Sequence, residues 1–260
     1  MATSADVPLH TPKRITDVVK GPGRMLLPIA GYQDKPLVTL EEAVIPLVDQ
    51  LPLVQTYVEV AKLNSKPDPV NRLTVDETAS IMLYTMDWDP QNECLYVALN
   101  DTLRTEDRRK LKPWFSYLKL FLTALFKLPS STRRVYRGVK MNLGNAYKKE
   151  EKFIWWGFSS CASSAEVLEG DEFLGKTGVR TLFTIECTSG KDISRYSYFE
   201  KEAETLLLPA RQFQVVASLS LGNDLHMVEL KELESRYLVP PGGPQITPTS
   251  KDFTVDIVSV

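Results

Sequence analysis

The sequence predicts an α+β fold, with an N-terminal helical lobe packed on a two-sheet, antiparallel or mixed β core. Residues 39–128 repeat apolar side chains at three- and four-residue steps, the period of amphipathic helices. After Pro129-Ser130-Ser131 the period switches to two, the signature of strands. Helices and strands come in separate blocks, which argues against a parallel sheet built from alternating βαβ units.

Pro8, Pro12, Pro22, Pro28 and Pro36, with Gly21, Gly23 and Gly31, predict an extended arm over residues 1–36. One domain is expected over 37–239, its helical lobe at 37–130 and its β-rich core at 131–239. Residues 240–260, opening on Pro240-Pro241-Gly242-Gly243-Pro244, form a tail. Thr39 is a plausible N-cap for a helix opening Leu40-Glu41-Glu42-Ala43, and a second helix is expected over 51–63. Thr74-Val75-Asp76-Glu77 has the capping-box pattern that starts a third. Residues 92–103 and 106–128 supply two more; Trp114, Leu118, Phe121, Leu122 and Leu125 stripe the last of these. Strands are expected at 134–139, 152–158, 181–187, 205–208, 213–221 and 226–230, with Ser159 and Ser160 leading into a polar loop.

At 260 residues, with 43% hydrophobic and 25% charged residues, the chain can bury a substantial core. A net charge of −2, without a basic stripe, argues against nucleic acid as a partner. No apolar run is long enough to span a membrane, and the first residues lack a secretory signal pattern. With three widely spaced cysteines, this predicts a cytoplasmic protein with free thiols. Two histidines, and no close Cys or His pairs, give no basis for a metal site.

The candidate chemistry gathers near residues 195–209. Thr205-Leu206-Leu207-Leu208, closed by Pro209, reads as a buried strand, and Glu202 and Glu204 stand at its head. On a strand, residues two apart share a face, so the two carboxylates are expected side by side, asking for a cation. A rival motif runs Gly170-Asp171-Glu172-Phe173-Leu174-Gly175-Lys176-Thr177, matching G-x-x-x-x-G-K-T of nucleotide-triphosphate phosphate loops. That loop needs a helix after it, whereas a β-branched run follows here, so a P-loop protein is only the alternative.

Tyr136-Arg137-Gly138, then Trp156-Gly157-Phe158-Ser159-Ser160, then Glu202-Ala203-Glu204-Thr205 together resemble the arginine–serine–glutamate class of mono-ADP-ribosyltransferases. The resemblance covers about residues 73–230 and implies the fold of that family. It implies transfer of ADP-ribose from NAD, the co-substrate, to a guanidinium on an arginine-bearing protein acceptor, with water as a competing acceptor. By resemblance, Arg137 serves the NAD pyrophosphate, and Gly138 lets backbone approach the nicotinamide. Ser160 supports the catalytic Glu204, and Glu202 serves the incoming guanidinium. Phe173 covers the nicotinamide or, equally, anchors its loop; Lys176 adds a phosphate contact. Phe199 and Tyr198 meet the acceptor, and Tyr196 could share that role. The family's Ser-Thr-Ser triplet reads Ser160-Cys161-Ala162 here, which keeps only its first serine and leaves a catalytically degenerate binding module as a further alternative.

Overall fold

The structure, a computed structural model, describes residues 25–170, 173–199 and 203–242. Five α-helices precede the first strand: α1 (Leu40–Val44), α2 (Val54–Asn64), α3 (Val75–Thr85), α4 (Leu95–Arg104) and α5 (Phe115–Lys127). Both predicted N-caps form complete capping boxes. Thr39 accepts from the Glu42 N–H while Glu42 reaches back, and Thr74 and Glu77 do the same. The expected helix over 106–128 is broken. Residues Arg108–Trp114 form a 3-10 helix instead, because Pro113 has no N–H for the α-helical ladder.

The strands are β1 (Ser130–Val139), β2 (Lys152–Trp155), β3 (Ser159–Ala162), β4 (Arg180–Asp192), β5 (Glu204–Leu207), β6 (Arg211–Ser220) and β7 (Leu225–Leu233). They join into one mixed seven-stranded sheet, ordered β1-β3-β5-β4-β7-β6-β2, instead of two separate ones. β1 also pairs along β4, so β1, β3, β5 and β4 close into a ring. Among the described strands, only β4 and β7 pair in parallel.

Two principal cores result. The helices bury Leu83, Leu99, Trp114, Phe121 and Leu125 against Phe158, Ile193 and Leu206 of the β half. The sheet encloses a second core of its own, with Val135, Cys161, Phe183, Leu207, Phe213 and Leu230. β5 lies between them, sending Leu206 to the helices and Leu207 to the sheet's interior. The expected arm is integral to the fold over its described part. Leu26, Ile29 and Tyr32 are buried, the Ile29 N–H donates to the Tyr237 carbonyl, and Tyr32 donates to Val239.

α3 is tied to α5 by an ion pair between the buried Glu77 and the exposed Lys127. Lys127 Nζ contacts both Glu77 oxygens at 2.6 and 2.7 Å, and also donates to the Arg72 carbonyl. Removing the cation strands a buried carboxylate, whereas removing the cap exposes one backbone donor to solvent. Lys127→Met is therefore expected to lower the unfolding free energy by about 3 kcal/mol, and Thr74→Ala by about 1 kcal/mol. Urea denaturation of both variants checks the order.

Candidate active site

The site is built where β1, β3 and β5 lie side by side. Tyr136 pairs with Ala162, and Ala162 pairs with Glu204, so one residue from each strand stands in a row. Ser160, two residues from Ala162, shares its face and is the diagonal neighbour of Glu204. β3 is thus a strand, although its small residues Ser159-Ser160-Cys161-Ala162 show no apolar alternation and read as a loop in sequence. All four are buried.

Glu204 is wholly enclosed, at 0% exposure, as the first residue of a strand buried along its whole length. Its carbonyl accepts from the Ile193 N–H, which closes the base of the excursion between β4 and β5. Ser160 Oγ is buried and has no protein hydrogen-bond partner. A hydroxyl desolvated in this way suits a polar ligand atom beside Glu204.

Arg137 is brought to Ser160 by its own hydrogen bond. Its Nη1 donates to the Ser160 main-chain carbonyl at 2.7 Å, and the residue is 4% exposed. It shares a β1 face with Val135 and Val139, which pack into the sheet's interior. From there it acts on Cys161: burial pushes that thiol up to about 12, Arg137 opposes the rise, and Cys187 and Glu204 add to it. Cys161 therefore feels the arginine and the glutamate together. Arg137 braces the serine strand from behind while the Ser160 hydroxyl shares the face of Glu204.

Gly138 is required by packing within the protein. A Cβ there would come within 2.8 Å of Leu174 Cβ, a backbone approach made to a loop of the chain itself. That loop anchors Phe173 and Leu174 in a small buried cluster with Ala162 and Leu168, against half-buried Tyr136 and Leu182. Phe173 thus packs beside Ala162, the strand partner of Glu204. Lys176 is exposed and pairs with Glu169 at 2.8 Å. β4 begins at Arg180, so no helix follows the G-x-x-x-x-G-K-T motif, and the phosphate cradle that motif requires is not formed.

Beyond β4, a 3-10 turn at Ser194–Tyr196 leads to Tyr198, 47% exposed, and the half-buried Phe199, their rings edge to face at 5.2 Å. Tyr196, in contrast, is buried among helical-lobe residues. Glu202 lies outside the described residues. Of the expected shared face only the Glu204 end is therefore described: β5 starts at Glu204, and Ala203 before it has a φ of 44°, in the left-handed region.

Sequence reasoning missed Asn100. Its Oδ1 accepts from the Phe158 N–H at 2.8 Å, and its Nδ2 donates to Tyr84 Oη at 3.2 Å, seating the turn before β3 on α4. A Cβ on Gly157 would lie 3.0 Å from Asn100 Oδ1. The available signal was a polar residue on the same helix face as Tyr96, Leu99 and Leu103. Among the described residues, no group of three or more His, Cys, Asp or Glu could hold a metal. No described helix is long and apolar enough to cross a membrane.

The family model for NAD:arginine ADP-ribosyltransferase matches residues 54–236. The chain belongs to this ADP-ribosyltransferase family. No curated protein sequence matches it. Similar solved structures include exoenzyme S from Pseudomonas aeruginosa, crystallised with human 14-3-3 protein beta and bound to carba-NAD. That protein is 19% identical, with a TM-score of 0.53, over 74% of this chain and 88% of that one. The type III effector XopAI from Xanthomonas axonopodis pv. citri is 17% identical, with a TM-score of 0.51, over 75% and 81% of the two chains. Vis toxin, an ADP-ribosyltransferase from Vibrio splendidus, is 20% identical with a TM-score of 0.50, over 78% and 90%. These likenesses show the ADP-ribosyltransferase fold, and the family match makes NAD the co-substrate and ADP-ribose the transferred group.

The buried thiols give a direct check on this packing. Cys94, Cys161 and Cys187 are all buried, and burial also raises the Cys187 thiol above its ordinary value. At pH 9, where an unperturbed thiol is about three-quarters ionised, Cys161 keeps its proton in the folded protein. Iodoacetamide is therefore expected to leave native protein unmodified at pH 9 and to label all three cysteines in urea, as read by mass spectrometry.

Proposed function

We propose that this ADP-ribosyltransferase modifies arginine side chains of a protein acceptor, with Glu204 as the catalytic carboxylate and Glu202 as the acceptor-directed one. The observation that carries the reading is Glu204, enclosed at the head of β5 and on one strand face with Ser160. Support for arginine as acceptor comes from the family description and from the second glutamate two residues earlier.

In the proposed reaction, the bond between ribose C1′ and the nicotinamide nitrogen breaks, and its electron pair leaves with neutral nicotinamide. The ribose becomes oxocarbenium-like, as in glycoside cleavage. A fixed carboxylate stabilises that cation best where water is excluded, which is the environment of Glu204. The Ser160 hydroxyl orients the carboxylate or the ribose hydroxyl bound to it. A guanidine nitrogen then bonds to C1′ and gives up a proton, which Glu202 accepts. Water at the same carbon yields free ADP-ribose and a proton, a side reaction of NAD hydrolysis.

Arg137 contributes its positive charge to NAD and holds the Ser160 strand in place; Gly138 admits the Leu174 loop. Phe173 and Lys176 lie on that loop, toward NAD, while Tyr198 and Phe199 present the acceptor.

Labelled NAD with agmatine, a small guanidine acceptor, tests the reading. The wild-type protein is expected to label agmatine. Glu204→Gln should lose both transfer and NAD hydrolysis by about a thousandfold. Glu202→Gln should lose transfer at least tenfold more than hydrolysis, a separation of about 1.4 kcal/mol in barrier height. Equal losses in Glu202→Gln would contradict the assigned division of labour.

A further inference from the structure

After β4 the chain leaves the sheet in a segment described over Ser194–Phe199, and β5 begins at Glu204. The base of this excursion is fixed by the bond from the Ile193 N–H to the Glu204 carbonyl at 3.1 Å and by the pairing of β4 with β5. The Glu204 main chain is thereby held in the sheet. The orientation of the excursion is set elsewhere, by side chains of the helical lobe.

Two described anchors do this. Tyr196 Oη donates to Asp68 Oδ2 and accepts from Asn71 Nδ2 at 3.1 Å. Two residues on, the Tyr198 N–H donates to Thr85 Oγ1, on the last residue of α3, at 2.8 Å. Asp68 and Asn71 precede α3, so the two anchors flank that helix. The Asp68 turn is itself firmly built. Asp68 and Leu73 exchange backbone bonds at 3.0 and 2.9 Å, and Asp68 Oδ1 accepts from the Val70 N–H at 2.8 Å. Asp68 Oδ2 takes the Asn71 amide at 2.8 Å, and Lys127 holds the Arg72 carbonyl at 3.1 Å.

We propose that the Asp68–Asn71 turn is a positioning element for the acceptor side of the site, acting through Tyr196 on Tyr198 and Phe199. This rests on the reading that Tyr198 and Phe199 meet the acceptor. Tyr196 points into the helical lobe, so its hydroxyl serves the turn and Tyr198 is left exposed. Cutting that anchor loosens the segment, now held by the Thr85–Tyr198 bond, without touching the strands that carry Glu204, Ser160 and Arg137. Acceptor recognition and NAD cleavage thereby become separable.

The test is Tyr196→Phe, which removes one hydroxyl and leaves the Asp68 turn whole. Two measurements are made on the full chain: steady-state kinetics with NAD and agmatine, and hydrogen exchange at the Tyr198 amide. The expected result is a roughly tenfold rise in the KM for agmatine, the scale of one lost hydrogen bond to a charged group. The KM for NAD, and kcat for NAD hydrolysis without acceptor, stay within about twofold. Exchange at Tyr198 quickens about tenfold while β5 amides keep their protection. An equal fall in hydrolysis and transfer overturns the proposal, because the anchor would then support the whole site. An unchanged agmatine KM, or unchanged exchange at Tyr198, also overturns it. Should the wild-type protein hydrolyse NAD and label no agmatine, the arginine reading itself fails, and exchange at Tyr198 still decides whether the anchor positions this segment.

Discussion

β5 is buried on both faces, Leu206 against the helices and Leu207 against the sheet's interior, and it begins with a carboxylate. Burial of Glu204 is unfavourable in isolation, since an enclosed carboxylate loses its hydration. The surrounding structure keeps it enclosed nonetheless. β3 and β4 pair with β5, the helical lobe closes over the sheet, and Arg137 places a positive charge within electrostatic reach of the same buried thiol, Cys161. A group held so rigidly in low dielectric acts strongly on charge that forms nearby, and a reaction through a ribose cation makes such charge.

The arrangement separates two tasks in space. The sheet fixes the residues proposed to serve NAD, by backbone pairing across β1, β3 and β5. The helical lobe fixes the segment proposed to meet the acceptor by side-chain hydrogen bonds, from the Asp68 turn and from Thr85. Between the two lies Ala203, in a left-handed conformation that costs a non-glycine residue some backbone strain.

Much of this was legible in the sequence, for local reasons. Thr39 and Thr74 announced their helices because a capping box is a contact over three residues. The Glu204 strand was legible because its apolar run ends at Pro209. β3 was not, since Ser159-Ser160-Cys161-Ala162 is small and unpatterned and becomes a strand only through its neighbours. The ring of β1, β3, β5 and β4 depends on pairings between distant segments that leave no periodic mark. At Gly138 a further need was invisible: its space is taken by Leu174, a contact across 36 residues of chain. By resemblance Arg137 was assigned to the pyrophosphate; its bond to the Ser160 carbonyl, and its place on the Val135 face, emerge only when the strands are set in register.

In the proposed reaction, Glu204 acts on the cation formed during NAD cleavage more than on NAD at rest. Calorimetric titration with a non-cleavable NAD analogue, comparing wild-type protein with Glu204→Gln, tests it most directly. The account predicts dissociation constants within about twofold of each other, because the interaction belongs to the transition state. An affinity that falls as far as the cleavage rate does would show that Glu204 serves substrate binding, and would contradict the account.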